Sequence, residues 1–564
     1  MSIRIRRRRL SALCLAAGML LCACNDNVQE SSTVTESAAP EPENTEVLAL
    51  AFTADGVRHA EDRFLPEDAV LTLTAPEGAV IRYTLDGSEP AADSEIYTAP
   101  IAMPAESSDF PGCAVLRAKA FYTDGSCSGT ATQTFFAAKD MSSCFHNLIV
   151  SVAGDPKELT EEPDGILCGE NAKESGRQSE RAVSVEFIAK DGGLVLEQDA
   201  GVRVYGKASR EFAIKSLKLF ARKSYDPEHG KFAYDGFSTV GKDENIIGKY
   251  DKLVLRSAGN DFQFAFIRDE LFQTLAADAG YTDCEAVQPV TVYLNGNYYG
   301  QLWLHENLCD DLLKAKYGGK DGKYQILEGR EREKTVSETD AEDAALAEAF
   351  NARYAELAAL DLTDEANYAE VCAWLDVPQY LSYFAYNYCI NNFDWPQGNE
   401  KCYRYQAAEG EAYGADRLDG RWRFWFHDMD YSAGLYEQEV TQADYNALAD
   451  IFDPESRRWA PLFEALMQRS DCRTAFREKV QSLTESTLTA EHIQSTLDAM
   501  NTARYFEMKR YYAYLEELKK SDDSVWTWYQ QFQTQTAMIS SFAVKRAEST
   551  LRYLDEMLPP LVAE

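Results

Sequence analysis

Two short segments late in the chain carry residue types that could do chemistry. In NNFDWPQGNEKCYRY (391–405), Asp394 and Asn399 stand among aromatics, with Pro396 and Gly398 between them. A carboxylate in such a loop can accept the proton of a hydroxyl, and an amide oxygen can help to hold a hard cation. Ordinary loop polarity is the alternative. In GRWRFWFHDMDYSAG (420–434), an apolar run leads directly into Asp428 and Asp430. Two carboxylates two positions apart at a strand end can both face a divalent ion, and idle charges in aromatic surroundings are costly. The same D-x-D could hold the metal of a sugar nucleotide. His427, inside the apolar run, reads as a packed neighbour of the pair.

A third feature is a reversal of charge. The chain has a formal net charge of −36, which disfavours nucleic acid and anionic headgroups as partners. Yet RVYGKASREFAIKSLKLFARK (203–223) carries Arg203, Lys207, Arg210, Lys215, Lys218, Arg222 and Lys223 against Glu211 alone. This stretch is a candidate cradle for a polyanion. Strand parity over 213–221 would put Lys215 on one face with Leu217 and Leu219, and Lys218 on the other with Ile214, Ser216 and Phe220. Taken in order, D-x4-N, a strand and then a strand-end Asp repeat the catalytic-loop and metal-site order of protein kinases. FAIK has the context of their phosphate-pairing lysine. No G-x-G-x-x-G loop accompanies that stretch, no Walker A occurs, and six His lend no support to a hydrolase triad.

These residues need elements to position them. LSYFAYNYCI (381–390) reads as a buried helix, and KCYRY alternates as a strand, so Asp394 and Asn399 belong to the loop between. Strand-like runs dominate from 145 to about 305, and helical spacing dominates after 340, opening with an acidic helix over 337–360 that has Ser and Thr at its start. Before them, 50–138 alternates in short runs broken by Asp86-Gly87 and Asp124-Gly125, which predicts a small β-sandwich. Residues 24–49 hold no aromatic and read as a disordered tether. Residues 1–23 have an arginine-rich start and a short apolar run, the pattern of an export signal, and LCAC places Cys24 as a lipidated residue. Ten further Cys show no metal spacing; Cys113 and Cys127 flank a predicted strand pair and could bridge.

Five landmarks in order resemble the CotH kinase family, named for spore coat protein H: GVRVYGKASREFAIKSLKLFARK, KLVLRSAGNDFQFAFIRDELFQTLA, TVYLNGNYYGQLWLHENL, NNFDWPQGNEKCYRY and GRWRFWFHDMDYSAG. The resemblance covers 145–555. IRYTLDGSEPAADSEIYTAPI is similar to the chitobiase/beta-hexosaminidase C-terminal repeat, a fibronectin-III-like module. The resemblance implies a multidomain chain: a small all-β sandwich, then an α+β bilobal, atypical protein-kinase-like domain. It implies transfer of phosphate from ATP with Mg²⁺ or Mn²⁺ to Ser or Thr of surface or secreted proteins. In that reading Asp394 is the catalytic base, Asn399, Asp428 and Asp430 are on the metal side, and Lys215 and Lys218 contact phosphate. Glu306 and Arg268 also fall on family positions near the nucleotide; Arg256 does so too, with a structural ion pair as the preferred reading. The expected setting is a lipid-anchored protein at the cell surface, whose sandwich could contact cell wall or carbohydrate. The alternatives are a kinase-fold adhesin without catalysis and, through the D-x-D, a glycosyltransferase.

Overall fold

The computed structural model describes residues 45–53, 56–329, 334–335, 340–396, 398–520 and 529–561. The export signal, Cys24 and most of the tether lie outside the described residues. The tether ends sooner than its composition suggests. Strand Thr45–Thr53 begins inside the segment read as tether, because Ala69–Thr74 offers it a parallel partner from Thr45↔Ala69 onward. That pairing is tertiary, and tether-like composition carries no trace of it.

The first strands form two facing sheets. One runs Gly56–His59, Thr45–Thr53, Ala69–Thr74, Ile101–Ala102; the other runs Phe64–Pro66, Ala131–Ala138, Gly112–Phe121, Val80–Thr84, Glu95–Ile96. Alternating side chains (Leu71 and Leu73, Leu116 and Ala118) fill the space between them. Gly87 and Gly125 take positive φ at the two expected Asp-Gly turns, where a Cβ would be strained. Cys113 and Cys127 do not bridge: both are free thiols, and they lie toward opposite ends of strand Gly112–Phe121, beyond the reach of a disulfide.

Seven strands then close a barrel in the order Leu148–Ala153, Arg181–Ile188, Leu194–Tyr205, Ser216–Phe220, Lys252–Arg256, Asn297–Glu306, Val287–Leu294. All pairs are antiparallel except the closure of Val287–Leu294 on Leu148–Ala153, which is parallel. Period-two alternation turns Val150, Val185, Phe187, Val202, Val204, Leu217, Leu219, Leu253, Leu255 and Leu304 into a dry interior. The outward positions of the same strands split into two regions. On one side Ile149, Ile188 and Tyr293 pack with Phe136 of the sandwich. On the other, Tyr205, Ser216, Lys218 and Arg256 remain polar.

Against that polar face stands a second sheet, Lys334–Thr335, Lys323–Glu328, Lys401–Gln406, Arg423–Trp425; helix Val377–Ile390 packs behind it and carries Ser470–Glu485 and Tyr529–Met557, while Ala490–Lys519 runs along barrel strands Val287–Leu294 and Asn297–Glu306. Val377–Ile390 is buried along almost its whole length, as its run of aromatics requires. The acidic helix spans Asp340–Ala358; residues 336–339, its expected cap, lie outside the described residues.

Candidate active site

Asp394 follows helix Val377–Ile390, which ends on Asn391 in the left-handed region. The loop that carries it is pinned from behind. Arg458, fully buried, donates from Nε to the Trp395 carbonyl at 2.9 Å and from NH2 to the Asn392 carbonyl at 3.0 Å. The Phe393 amide donates to the Tyr431 carbonyl at 2.9 Å, which ties the loop to the segment after Asp430. Strand Arg423–Trp425 stops short of the acidic pair, so 428–430 is not a strand end in the simple sense expected. Asp428 takes φ +52°, a conformation that Asp tolerates better than most residues, and the Met429 amide is held by Asp269 Oδ1 at 2.9 Å.

These pieces meet in one cavity of about 700 Å³ lined on the barrel side by Tyr205, Gly206, Lys207, Ser209, Arg210, Ser216 and Arg256. The opposite side supplies Glu328, Asp394, Asn399, His427, Asp428 and Asp430. Its two ends differ in charge. At the cationic end, Arg210 donates to the carbonyls of Ala172 at 3.0 Å and Glu174 at 2.7 Å, so its hydrogen bonds are to neutral acceptors and its charge stays available to an anion. Lys218 is not among the described residues that line the cavity; it lies behind one that does, over the Tyr205 ring at 5.4 Å, and burial beside Lys252 and Lys401 brings it down to about 7. Lys401, almost fully buried, pairs with Glu328 at 3.7 Å and holds that carboxyl down at about 2.

At the anionic end, burial and the neighbouring Asp428 raise the proton affinity of Asp394. Asn399 Nδ2 lies 3.5 Å from the Asp428 carbonyl. Asp430 is fully buried, and both its oxygens are engaged: Oδ2 accepts from the Asn260 amide at 2.8 Å and from Arg256 at 3.2 Å, and Oδ1 from Asn260 Nδ2 at 3.2 Å. Burial and the Asp428 charge push Asp430 well up, whereas Asp428, despite burial, is held below its ordinary range chiefly by Arg256. Asp428 also keeps a quarter of its side chain exposed, toward the cavity.

Of the residues singled out from sequence, Asp394, Asn399, Asp428 and Asp430 therefore come together. The other positions divide. Lys215 is not among the described residues lining the cavity: it precedes strand Ser216–Phe220, and its Nζ donates to the Phe212 carbonyl at 2.8 Å. Lys218 sits on the cavity-facing side of that strand with Ser216, the face that parity assigned to it. Glu306 is buried away from the cavity and pairs with Lys316 at 3.3 Å, accepting also from Tyr250 and the Ala286 amide. Arg268 is fully buried in an ion pair with Asp261 and donates to Gln535 at 2.8 Å, which removes it from nucleotide contact. Arg203 and Arg222 of the basic stretch both clamp Glu180 and leave Lys207 and Arg210 to the cavity. Arg256 is in ion pairs as expected, but those pairs are with Asp428 and Asp430 themselves. Lys401 and Glu328 were not anticipated. The signal for Lys401 was present: a lysine opening an apolar strand directly after the Asp394 loop.

Residues 71–135 match the Fn3 associated family, which accounts for the sandwich core, and no curated protein matches the chain. A match to the family described as CotH kinase protein runs over residues 202–550, from the third barrel strand to the last helix, and takes in every residue of the cavity beyond its outer turn. Covering well over half the chain, it makes this protein a member of the CotH kinase protein family, with a β-rich module ahead of a domain of helices and sheets.

Proposed function

We propose that the protein is an exported, lipid-anchored atypical kinase that transfers phosphate from ATP to Ser or Thr of surface or secreted proteins. The observation that carries this reading is the two-ended cavity: Lys207 and Arg210 at one end, and Asp394, Asp428 and Asp430 around the single guanidinium of Arg256 at the other. A triphosphate with its divalent ion has the matching polarity. In this reading the barrel and the helical part behind the second sheet are the two lobes of a kinase-like fold, and the cavity lies between them.

The donor set fits Mg²⁺ or Mn²⁺, since Asp428 and Asp394 are oxygen ligands that line one cavity and repel one another. Asp428 and Asn399 would hold the ion, and Asp430 would orient Asp428 through their shared Arg256. When bound, the ion supplies neutralisation of charge on the transferring phosphate. The protein's own work is then positional. Lys207, Ser209 and Arg210 bind the phosphate tail, with Lys218 behind Tyr205. Asp394 accepts the proton of the acceptor hydroxyl, a role that its raised proton affinity favours, and Arg458 keeps its loop from yielding. The sandwich is proposed to contact cell wall or carbohydrate, and Cys24 to carry the lipid.

The test is incubation of the purified protein with γ-labelled ATP, Mg²⁺ or Mn²⁺ and a generic Ser/Thr acceptor, beside Asp394→Ala and Asp428→Ala. Label transfer by the parent alone supports the reading. No transfer, together with no metal-dependent nucleotide binding by calorimetry, would support the non-catalytic adhesin instead.

A further inference from the structure

Arg256 ends barrel strand Lys252–Arg256, and its guanidinium is where carboxylates from separate segments converge. NH2 contacts Asp428 and lies 3.2 Å from Asp430; Nε lies 3.2 Å from Asp269 and 3.7 Å from Glu270, at the start of helix Arg268–Asp278. Asp269, Glu270 and His305 are all buried, and each brings a ligating atom within 4.8 Å of the others. Glu270 Oε2 is buried without a hydrogen-bond partner, while Oε1 faces His305 Nε2 at 3.2 Å. Two carboxylates and an imidazole at this spacing are a ligand set for a divalent transition ion, once His305, whose ring now spans Glu270 at 3.2 Å and Glu285 at 3.0 Å, gives up the proton it holds between them. The position beside them is taken by the guanidinium.

We infer that Arg256 is a built-in cation standing where a second metal ion would otherwise bind, so that removing its charge makes room for one additional divalent ion per chain. The inference rests on the kinase reading only for the first ion, at Asp428. The physical case is one of geometry and permanence. A guanidinium stays charged at any physiological pH and forks between carboxylates in fixed directions. It therefore aims Asp428 and Asp430 whether or not free metal is present, which a second exchangeable ion could not do. Removing it leaves Asp269, Asp428 and Asp430 without the counter-charge they share, His305 between Glu270 and Glu285 being the cation that stays in contact with the cluster, and proteins avoid such an excess of buried carboxylates by binding a cation or by unfolding. Arg256 is thus a positioning residue that acts through Asp428.

The experiment counts bound Mn²⁺ by equilibrium dialysis and electron paramagnetic resonance, with a non-hydrolysable ATP analogue, on the parent protein, Arg256→Met, Arg256→Lys and Arg256→Met/Glu270→Gln. The expected counts are one for the parent and for Arg256→Lys, two for Arg256→Met, and one again for the double variant. Mn²⁺ without nucleotide should raise the melting temperature of Arg256→Met more than that of the parent. Two ions on the parent, or no gain in Arg256→Met, overturns the inference. So does an Arg256→Met chain that stays unfolded in Mn²⁺, since the ion should replace the lost charge. A count of zero on the parent and one on Arg256→Met would sink the kinase reading of Asp428 and still support the role of Arg256.

Discussion

The barrel has two outward regions built from the same alternation, and they treat buried charge in opposite ways. Toward the sandwich, Arg63 is fully buried and reaches Glu186 at 2.9 Å and Glu197 at 3.0 Å. Glu186 also accepts from the Thr134 amide at 2.7 Å, the Thr134 and Ser151 hydroxyls meet at 2.7 Å, and the aromatics Phe136, Phe145 and Tyr293 pack edge to face on the same side. Arg510 adds bonds to the Asp109 and Cys144 carbonyls, both at 2.8 Å. Toward the cavity, one guanidinium is shared by four carboxylates, of which Glu270 also meets His305, and among the described residues Asp394 has no ion-pair partner. The sealed side shows what a charge network does when its purpose is to lock two units together: the buried guanidinium is met by carboxylates, and those carboxylates by further donors. The open side keeps a charge imbalance that an incoming ligand can relieve. It follows that the sandwich is a fixed part of the barrel's wall, more than a spacer on a flexible joint.

That contrast can be broken or sharpened by substitution. The largest effect is expected at the open side: Asp394→Ala should lower kcat by about 10²–10⁴-fold, the usual worth of a general base, with the melting temperature unchanged or raised because a repulsion is gone. A lowered melting temperature with full activity would overturn the contrast there. Arg63→Met on the sealed side should do the reverse. It strands Glu186 in the interior and should cost roughly 3–5 kcal/mol in denaturant melts, while turnover per folded molecule stays the same. Ser151→Ala removes only a neutral hydroxyl pair and should cost about 1 kcal/mol.

The subtlest test concerns protons. Lys218 is lowered from 10.5 to about 7 by burial. A lysine lowered on folding penalises the folded state; the penalty is complete below about 7 and fades as pH rises toward the unfolded value. A polyphosphate bound nearby should pull a proton back onto it. At about pH 8.5, calorimetry in buffers of different ionisation enthalpy should therefore show uptake of about one proton on nucleotide binding, absent in Lys218→Met. Equal uptake in that variant would remove Lys218 from the phosphate end.

Much of this was legible in the chain. Period-two alternation identified the barrel strands and assigned Lys218 to the face it occupies. The aromatic helix before it and the alternating KCYRY after it placed Asp394 in a loop, and the order of that loop, a strand and Asp428 pointed to a site. Legibility failed where a residue's partners come from elsewhere in the chain. Arg268 and Glu306 sit at suggestive positions, yet Asp261 and Lys316 neutralise them within the core. Lys215 lost its face because the strand, expected over 213–221, begins at Ser216 and leaves Lys215 just outside it.

By itself, then, the sequence determined the local periods, the Asp-Gly turns and the carriers of reactive groups, since all of these depend on neighbours a few positions away. Only the tertiary structure decided which charges remain unpaid by a partner. Arg256 faces carboxylates from helix Arg268–Asp278 and from 428–430, and Lys401 meets Glu328 across a sheet. The free energy of a charge depends on what surrounds it after water has been removed, and those surroundings are assembled from segments far apart in sequence.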